Sequence, residues 1–100
     1  MGIINRILKT CSTIKDGRTL DKPVFKLVEE VGELATEVNV TLGNLPESKR
    51  GVDGILGESC DVIICALDII HQDNKNVTEE EILQMLKQKS KKWQALYTDV

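Results

Sequence analysis

The sequence predicts an all-α domain, a four-helix bundle that associates with copies of itself. Three observations carry that expectation. Apolar residues recur at i, i+3 and i+4 over four separate stretches, with no sustained alternation of the kind a strand shows. Most of the helix breakers, 2 prolines and 7 glycines in all, fall between those stretches, and none belongs to their apolar stripes. The chain is 100 residues long, 41% hydrophobic, 29% charged and 3% aromatic, which suits one soluble core and is too short for two.

In order along the chain, the spacing predicts a first helix over residues 3 to 16 that gathers Ile4, Ile7, Leu8, Cys11 and Ile14 on one face. Gly17 would close it, because glycine takes the left-handed backbone of a C-terminal cap without strain. After a short turn to Leu20, Pro23 belongs in the first turn of a second helix, with Asp21 beside it to satisfy free amides. The stripe Val24, Leu27, Val31, Leu34, Val38, Leu42 carries this helix to Gly43. Residues 44 to 54, with Pro46, two glycines and mixed charge, form the one substantial loop. A third helix begins between Val52 and Gly57 and reaches His71. A polar turn over residues 72 to 76 follows. Thr78 with Glu81 three residues later is a capping box, which starts a fourth helix running to about Tyr97.

The charge balance sets limits on partners. Lys and Arg total 13 against 16 Asp and Glu, a net charge of −3, with a pI near 5.1. That leaves no basic footprint for a nucleic-acid polymer or an anionic membrane surface. The apolar run Val62 to Leu67 is far short of the roughly 20 residues that span a bilayer, and no basic-then-apolar leader is expected, so the expected location is cytoplasmic. Cys11, Cys60 and Cys65 are odd in number, lack Cys-x-x-Cys spacing and sit among apolar residues. They are read as reduced core thiols.

The chemistry lies in the acids of helices 2 and 3. On helix 3, Val62, Ile63, Ile64, Cys65, Ala66, Leu67, Ile69 and Ile70 point in nearly every direction, yet Glu58, Asp61 and Asp68 share one narrow stripe. Carboxylates beside that much hydrocarbon call for a cation or dense hydrogen bonding. Helix 2 brings Glu29, Glu30 and Glu33 within i, i+3 and i, i+4 reach, with Glu37 one turn further on, and such like charges repel. Taken alone, each set also fits a solvated helix face. Together, two acids at i, i+3 on each of two packed helices offer oxygen ligands to one hard divalent cation. Mg²⁺ or Mn²⁺ suits that set, whereas zinc would want His or Cys.

These residues resemble a known pattern. Glu29-Glu30-Val31-Gly32-Glu33, followed after an intervening segment by Glu58-Ser59-Cys60-Asp61, is similar to the E-E-x-x-E … E-x-x-D signature of the MazG-like all-α nucleoside triphosphate pyrophosphohydrolases. Lys26-Leu27-Val28 before the first half, Gly32-Glu33-Leu34-Ala35 within it and Asp61-Val62-Ile63-Ile64 after the second add to the likeness. The resemblance implies a hydrolase in which Glu30, Glu33, Glu58 and Asp61 bind Mg²⁺ and Glu29 stands near enough to join a further ion or orient water. It implies cleavage between the α- and β-phosphates of a (deoxy)nucleoside triphosphate, giving a nucleoside monophosphate and pyrophosphate, in a nucleotide-pool housecleaning role. Glu29 or Glu33 is the expected proton acceptor. Two features depart from the family pattern. Asp68 stands where an amide or small residue is expected, and the aromatic-rich N-terminal motif that grips a pyrimidine in some relatives is missing.

Helix 4 supplies further candidates. Lys89 falls near the centre of the apolar stripe Ile82, Met85, Leu86, Trp93, Leu96, with Lys92 at its edge. Lys89 either extends its stem to solvent or meets a phosphate or the carboxylates, and Trp93 either packs in the core or stacks on a base. His71 suits the C-terminal end of helix 3, where its positive charge complements the helix dipole. Helix 3 is apolar on more sides than one protomer covers, which predicts a homodimer or homotetramer. Two other readings stand beside the leading one. One is hydrolysis of a different diphosphate linkage, such as that of a phosphoribosyl-nucleotide; the other is a non-enzymatic helical interaction module.

Overall fold

A computed structural model describes residues 2 to 14, 17 and 19 to 98. Four α-helices and one 3-10 turn follow one another: α1 (Ile3–Thr13), α2 (Asp21–Thr41), the 3-10 turn Glu47–Lys49, α3 (Gly54–Asp73) and α4 (Glu79–Tyr97). The four expected helices are therefore present, and no strand occurs among the described residues.

Several boundaries differ from the sequence expectation for local reasons. The first helix stops at Thr13 rather than near Asp16, which lies outside the described residues. Ser12 and Thr13 turn their hydroxyls back onto the carbonyls of Lys9 and Thr10 at 2.6 Å each, satisfying acceptors in the last turn. Gly17 does take a positive φ of 67°, but in the connection beyond the helix rather than as its cap. Leu20 occupies the N-cap of α2 and gives no side-chain bond to it. Asp21 instead accepts a hydrogen bond from the Thr19 hydroxyl, and that bond holds its carboxyl below the ordinary range. Gly43, at φ 81°, closes α2 as expected, donating its N–H to the Val40 carbonyl at 3.0 Å.

The capping box forms as the sequence predicts. The Glu81 N–H donates to Thr78 Oγ1 at 3.2 Å, and the Thr78 N–H donates to Glu81 Oε1 at 3.1 Å.

The α3 helix is central, with α2 packed along one side and α1 along another. The α2 and α3 helices run antiparallel. Glu37, late in α2, meets Gly51 just before α3, whereas Glu30, about two turns earlier, acts on Cys65 midway along α3. Leu8, Leu67 and Ile82 form the buried cluster, with Ile4, Ile7, Ile70 and Val77 packed around it. This core ties α1 and the start of α4 to the far end of α3.

Beyond its first turns α4 leaves the core. Ile82 is its one buried residue among those described, and Leu83, Met85, Leu86, Trp93, Leu96 and Tyr97 are all exposed. The helix therefore extends from the other three instead of packing along them. The radius of gyration, 16.2 Å, exceeds the ~13 Å of a compact 100-residue domain. No helix is long and apolar enough to cross a membrane among the described residues.

The cysteines divide: Cys11 is buried, Cys65 half-buried and Cys60 exposed. Cys60 is thus not the core thiol that its apolar neighbours suggested, because it lies before the part of α3, Ile64 to Asp68, that meets α1. Burial, together with the charges of Glu30, Asp68 and Asp61, pushes the Cys65 thiol up against the opposing effect of Lys26, which keeps it protonated and unreactive.

Candidate metal centre

The α2 helix is turned inside out with respect to charge. Glu30, Glu33 and Glu37, one turn apart, project toward α3, while most of the helix's valines point away. Glu30 and Glu37 are buried, the latter only 2% exposed. From α3, Glu58 comes up to meet them. One carboxylate oxygen from each of Glu30, Glu33 and Glu58 lies within 4.8 Å of the others, so the two halves of the sequence motif converge across the helix pair.

Each carboxylate has a different environment. Glu30 Oε1 lies 3.2 Å from Lys26 Nζ, one turn back on α2. Its Oε2 is buried and accepts no hydrogen bond, and Glu58 Oε2 is in the same state. Two buried acceptor oxygens of this kind are costly unless something positive meets them. Desolvation pushes the Glu58 carboxyl above its ordinary value, and the charges of Glu33, Asp61 and Glu30 together with a hydrogen bond to Glu33 push it further. The pocket therefore favours a positive charge, whether a proton or a cation.

Glu37 has another task. Its Oε1 accepts the Gly51 N–H, and its Oε2 lies 3.5 Å from Arg50 Nη1. Arg50 also grips Glu47 through Nε at 2.8 Å and Nη2 at 3.1 Å. This latch fixes the loop between α2 and α3 against the carboxylates. A side chain at position 51 would break it, since an added Cβ would lie 2.8 Å from Glu37 Oε1. Glu33, Thr36, Glu37, Lys49, Gly51 and Glu58 together line an open hollow of about 240 Å³.

The structure gathers some of the residues singled out in the sequence and leaves others apart. Glu30, Glu33 and Glu58 form the three-oxygen group. Asp61 is half-buried one turn from Glu58 and acts on it through its charge, but it is not a member of that group. Glu29 is exposed and lies 3.8 Å from Lys26 Nζ. Asp68 faces α1, lining a hollow with Ile7, Cys11 and Ile64. His71 is buried in the last turn of α3, away from the carboxylates. Lys89 and Trp93 border a hollow made wholly of α4 residues, with Leu86 and Ser90, and Lys92 is exposed on the same helix. Among the described residues, then, the cation beside Glu30 is Lys26. Its i, i+4 spacing to Glu30 was visible in the sequence. The latch residues Arg50 and Gly51, and Lys49 in the hollow, lie in the loop and follow no periodic signal.

Comparison of the chain with protein-family models, with curated proteins and with solved structures found no match in any of the three.

Proposed function

We propose that the chain is a Mg²⁺-dependent hydrolase that cleaves a (deoxy)nucleoside triphosphate between its α- and β-phosphates, releasing a nucleoside monophosphate and pyrophosphate. The observation that carries this reading is the convergence of Glu30, Glu33 and Glu58, with buried oxygens of Glu30 and Glu58 left without hydrogen-bond partners. That donor set is all oxygen and fits a hard divalent ion, Mg²⁺ or Mn²⁺. Glu30, Glu33 and Glu58 would hold it, with Asp61 adjoining. When bound, such an ion neutralises phosphate charge and makes a water more acidic.

The chain's own groups supply the rest. Lys26 holds Glu30 in place through its ion pair. Glu29 or Glu33, both on the exposed side of the cluster, accepts the proton of the attacking water. Lys49, on the border of the hollow, meets a phosphate oxygen of the substrate. Lys89, Lys92 and Trp93 remain candidates for substrate contact on α4. The active form in this reading is a homo-oligomer, a dimer or tetramer.

The test incubates the protein with Mg²⁺ and a panel of nucleoside triphosphates and separates the products. Monophosphate plus pyrophosphate, lost in Glu30→Gln, supports the proposal. Diphosphate plus phosphate, or no turnover by folded protein, overturns it.

A further inference from the structure

Over the whole chain the charge is −3, but that balance conceals an uneven distribution along α4. Its acids, Glu79, Glu80 and Glu81, all stand in the first turn, beside the core. From Ile82 to Thr98 the charged side chains are Lys87, Lys89, Lys91 and Lys92, with no acid among them. In the same stretch Leu86, Trp93, Leu96 and Tyr97 are 55%, 66%, 73% and 76% exposed. The projecting part of the helix, from Leu83 to Tyr97, is about 21 Å long and packs along none of the other helices.

Projected at about 100° per residue, Met85, Leu86, Trp93, Leu96 and Tyr97 share an arc of about 120°. Lys92 and Lys87 stand at its two borders, and Lys91 lies behind it. Lys89 lies inside the arc, on one hollow with Leu86 and Trp93. A projecting helix that is apolar on one side and basic at both margins suits the boundary between water and an anionic lipid layer. The lysine stems run along the apolar side while their ammonium groups reach the headgroups. Trp93 and Tyr97, edge to face with ring centres 6.3 Å apart, have the amphipathic rings that concentrate at headgroup depth. Lys89 limits that depth, because an ammonium inside the arc keeps the helix at the headgroups and out of the acyl chains.

We infer that α4 docks, parallel to the surface, on an anionic lipid bilayer. Charge argues for this occupant. Two α4 helices related by a two-fold axis would set four lysines against four, and a protein groove would need separate acids opposite Lys89 and along both borders. A lipid surface presents negative charge on every side at once. The remainder of the chain carries the excess of acid and is repelled by the same lipids, so contact is confined to the projecting helix. The inference goes beyond the hydrolase reading. It uses side chains that are also candidates for substrate contact, so its test contains neither metal nor nucleotide and stands or falls separately from the hydrolase chemistry.

Trp93 is the chain's only tryptophan, so its emission reports the contact directly. The full chain, in chelator and about 0.1 M salt, is titrated with vesicles of phosphatidylcholine alone or mixed with an equal part of phosphatidylglycerol, and bound protein is measured by sedimentation. Blue-shifted emission and sedimentation with the mixed vesicles only, both lost at about 1 M salt where charges are screened beyond about 3 Å, is the expected result. Each lysine near an anionic surface strengthens binding roughly fivefold, so Lys87→Gln with Lys91→Gln should weaken it about 25-fold. Glutamine keeps the helix propensity of lysine, so this variant folds. No shift at millimolar lipid, equal binding to neutral vesicles, or binding indifferent to the two glutamines overturns the proposal. An equal shift with poly-glutamate in place of vesicles points to an acidic protein partner and overturns it as well.

Discussion

Glu37 is the most buried acid in the chain, and its two oxygens each meet a group from the loop that follows α2. Removing it leaves the Gly51 N–H without its acceptor and takes one carboxylate from Arg50. Losing a partly buried hydrogen bond to a charged group costs about 1.5–3 kcal/mol, so Glu37→Ala should be destabilised by about 2 kcal/mol in urea titration. Glu58 works in the opposite direction. Its carboxyl titrates above the ordinary value in the folded chain, so the native state holds that proton more tightly than the unfolded state. The resulting contribution is fully present below the unfolded pKa and is lost as pH rises through the higher folded one. In chelator, urea midpoints of the unsubstituted protein should therefore fall, as pH rises above the ordinary carboxylate range, more steeply than those of Glu58→Gln, which should be the more stable of the two at pH 7. The acids themselves were legible in the sequence, because i, i+3 spacing fixes a shared face. The division of labour between Glu37 and its neighbours was not, since its partners come from a loop 14 residues away in sequence.

Among the helices, α4 depends most on local chemistry. Its capping box was readable from Thr78 and Glu81, because both partners lie within one turn. Thr78→Ala should cost about 1 kcal/mol. As α4 meets the core mainly through Ile82, that loss should appear as faster amide exchange over residues 79 to 83, with little change in exchange in α3. The long helices α2 and α3 were readable for the same reason, through many turns of consistent periodicity. The end of α1 was missed because hydroxyl-to-carbonyl bonds from Ser12 and Thr13 compete with continuation of the helix. The 3-10 turn Glu47–Lys49 was missed because Arg50 and Glu47 organise it, a side-chain pairing that leaves no period in the sequence.

At the scale of the whole molecule, the surplus of apolar surface on α3 was legible, and Leu56, Ile63 and Ile64 are indeed exposed. The direction of α4 was not, because it follows from the turn over residues 74 to 77 and from how little of α4 the core can cover. The proposed centre also predicts a global response to metal. Repulsion among Glu30, Glu33, Glu58 and Asp61 is relieved by an ion that binds only the folded chain, and an ion at 100 times its Kd adds about 2.7 kcal/mol. Thermal melts should accordingly move upward from chelator to saturating Mg²⁺, and in Glu30→Gln the two melts should nearly coincide.

The latch between Glu37 and the loop bears on how the chain meets a protease. Lys49 and Arg50 offer adjacent tryptic bonds on an exposed segment, yet Gly51 has its N–H engaged by Glu37 and Arg50 is held from both sides. Cleavage there needs the segment to lift into an extended strand, and lifting it withdraws one wall of the carboxylate hollow. The rate of a single tryptic clip at this loop therefore reads out how often the hollow comes apart. Divalent metal should lengthen the lifetime of the intact chain, and Glu37→Ala should shorten it.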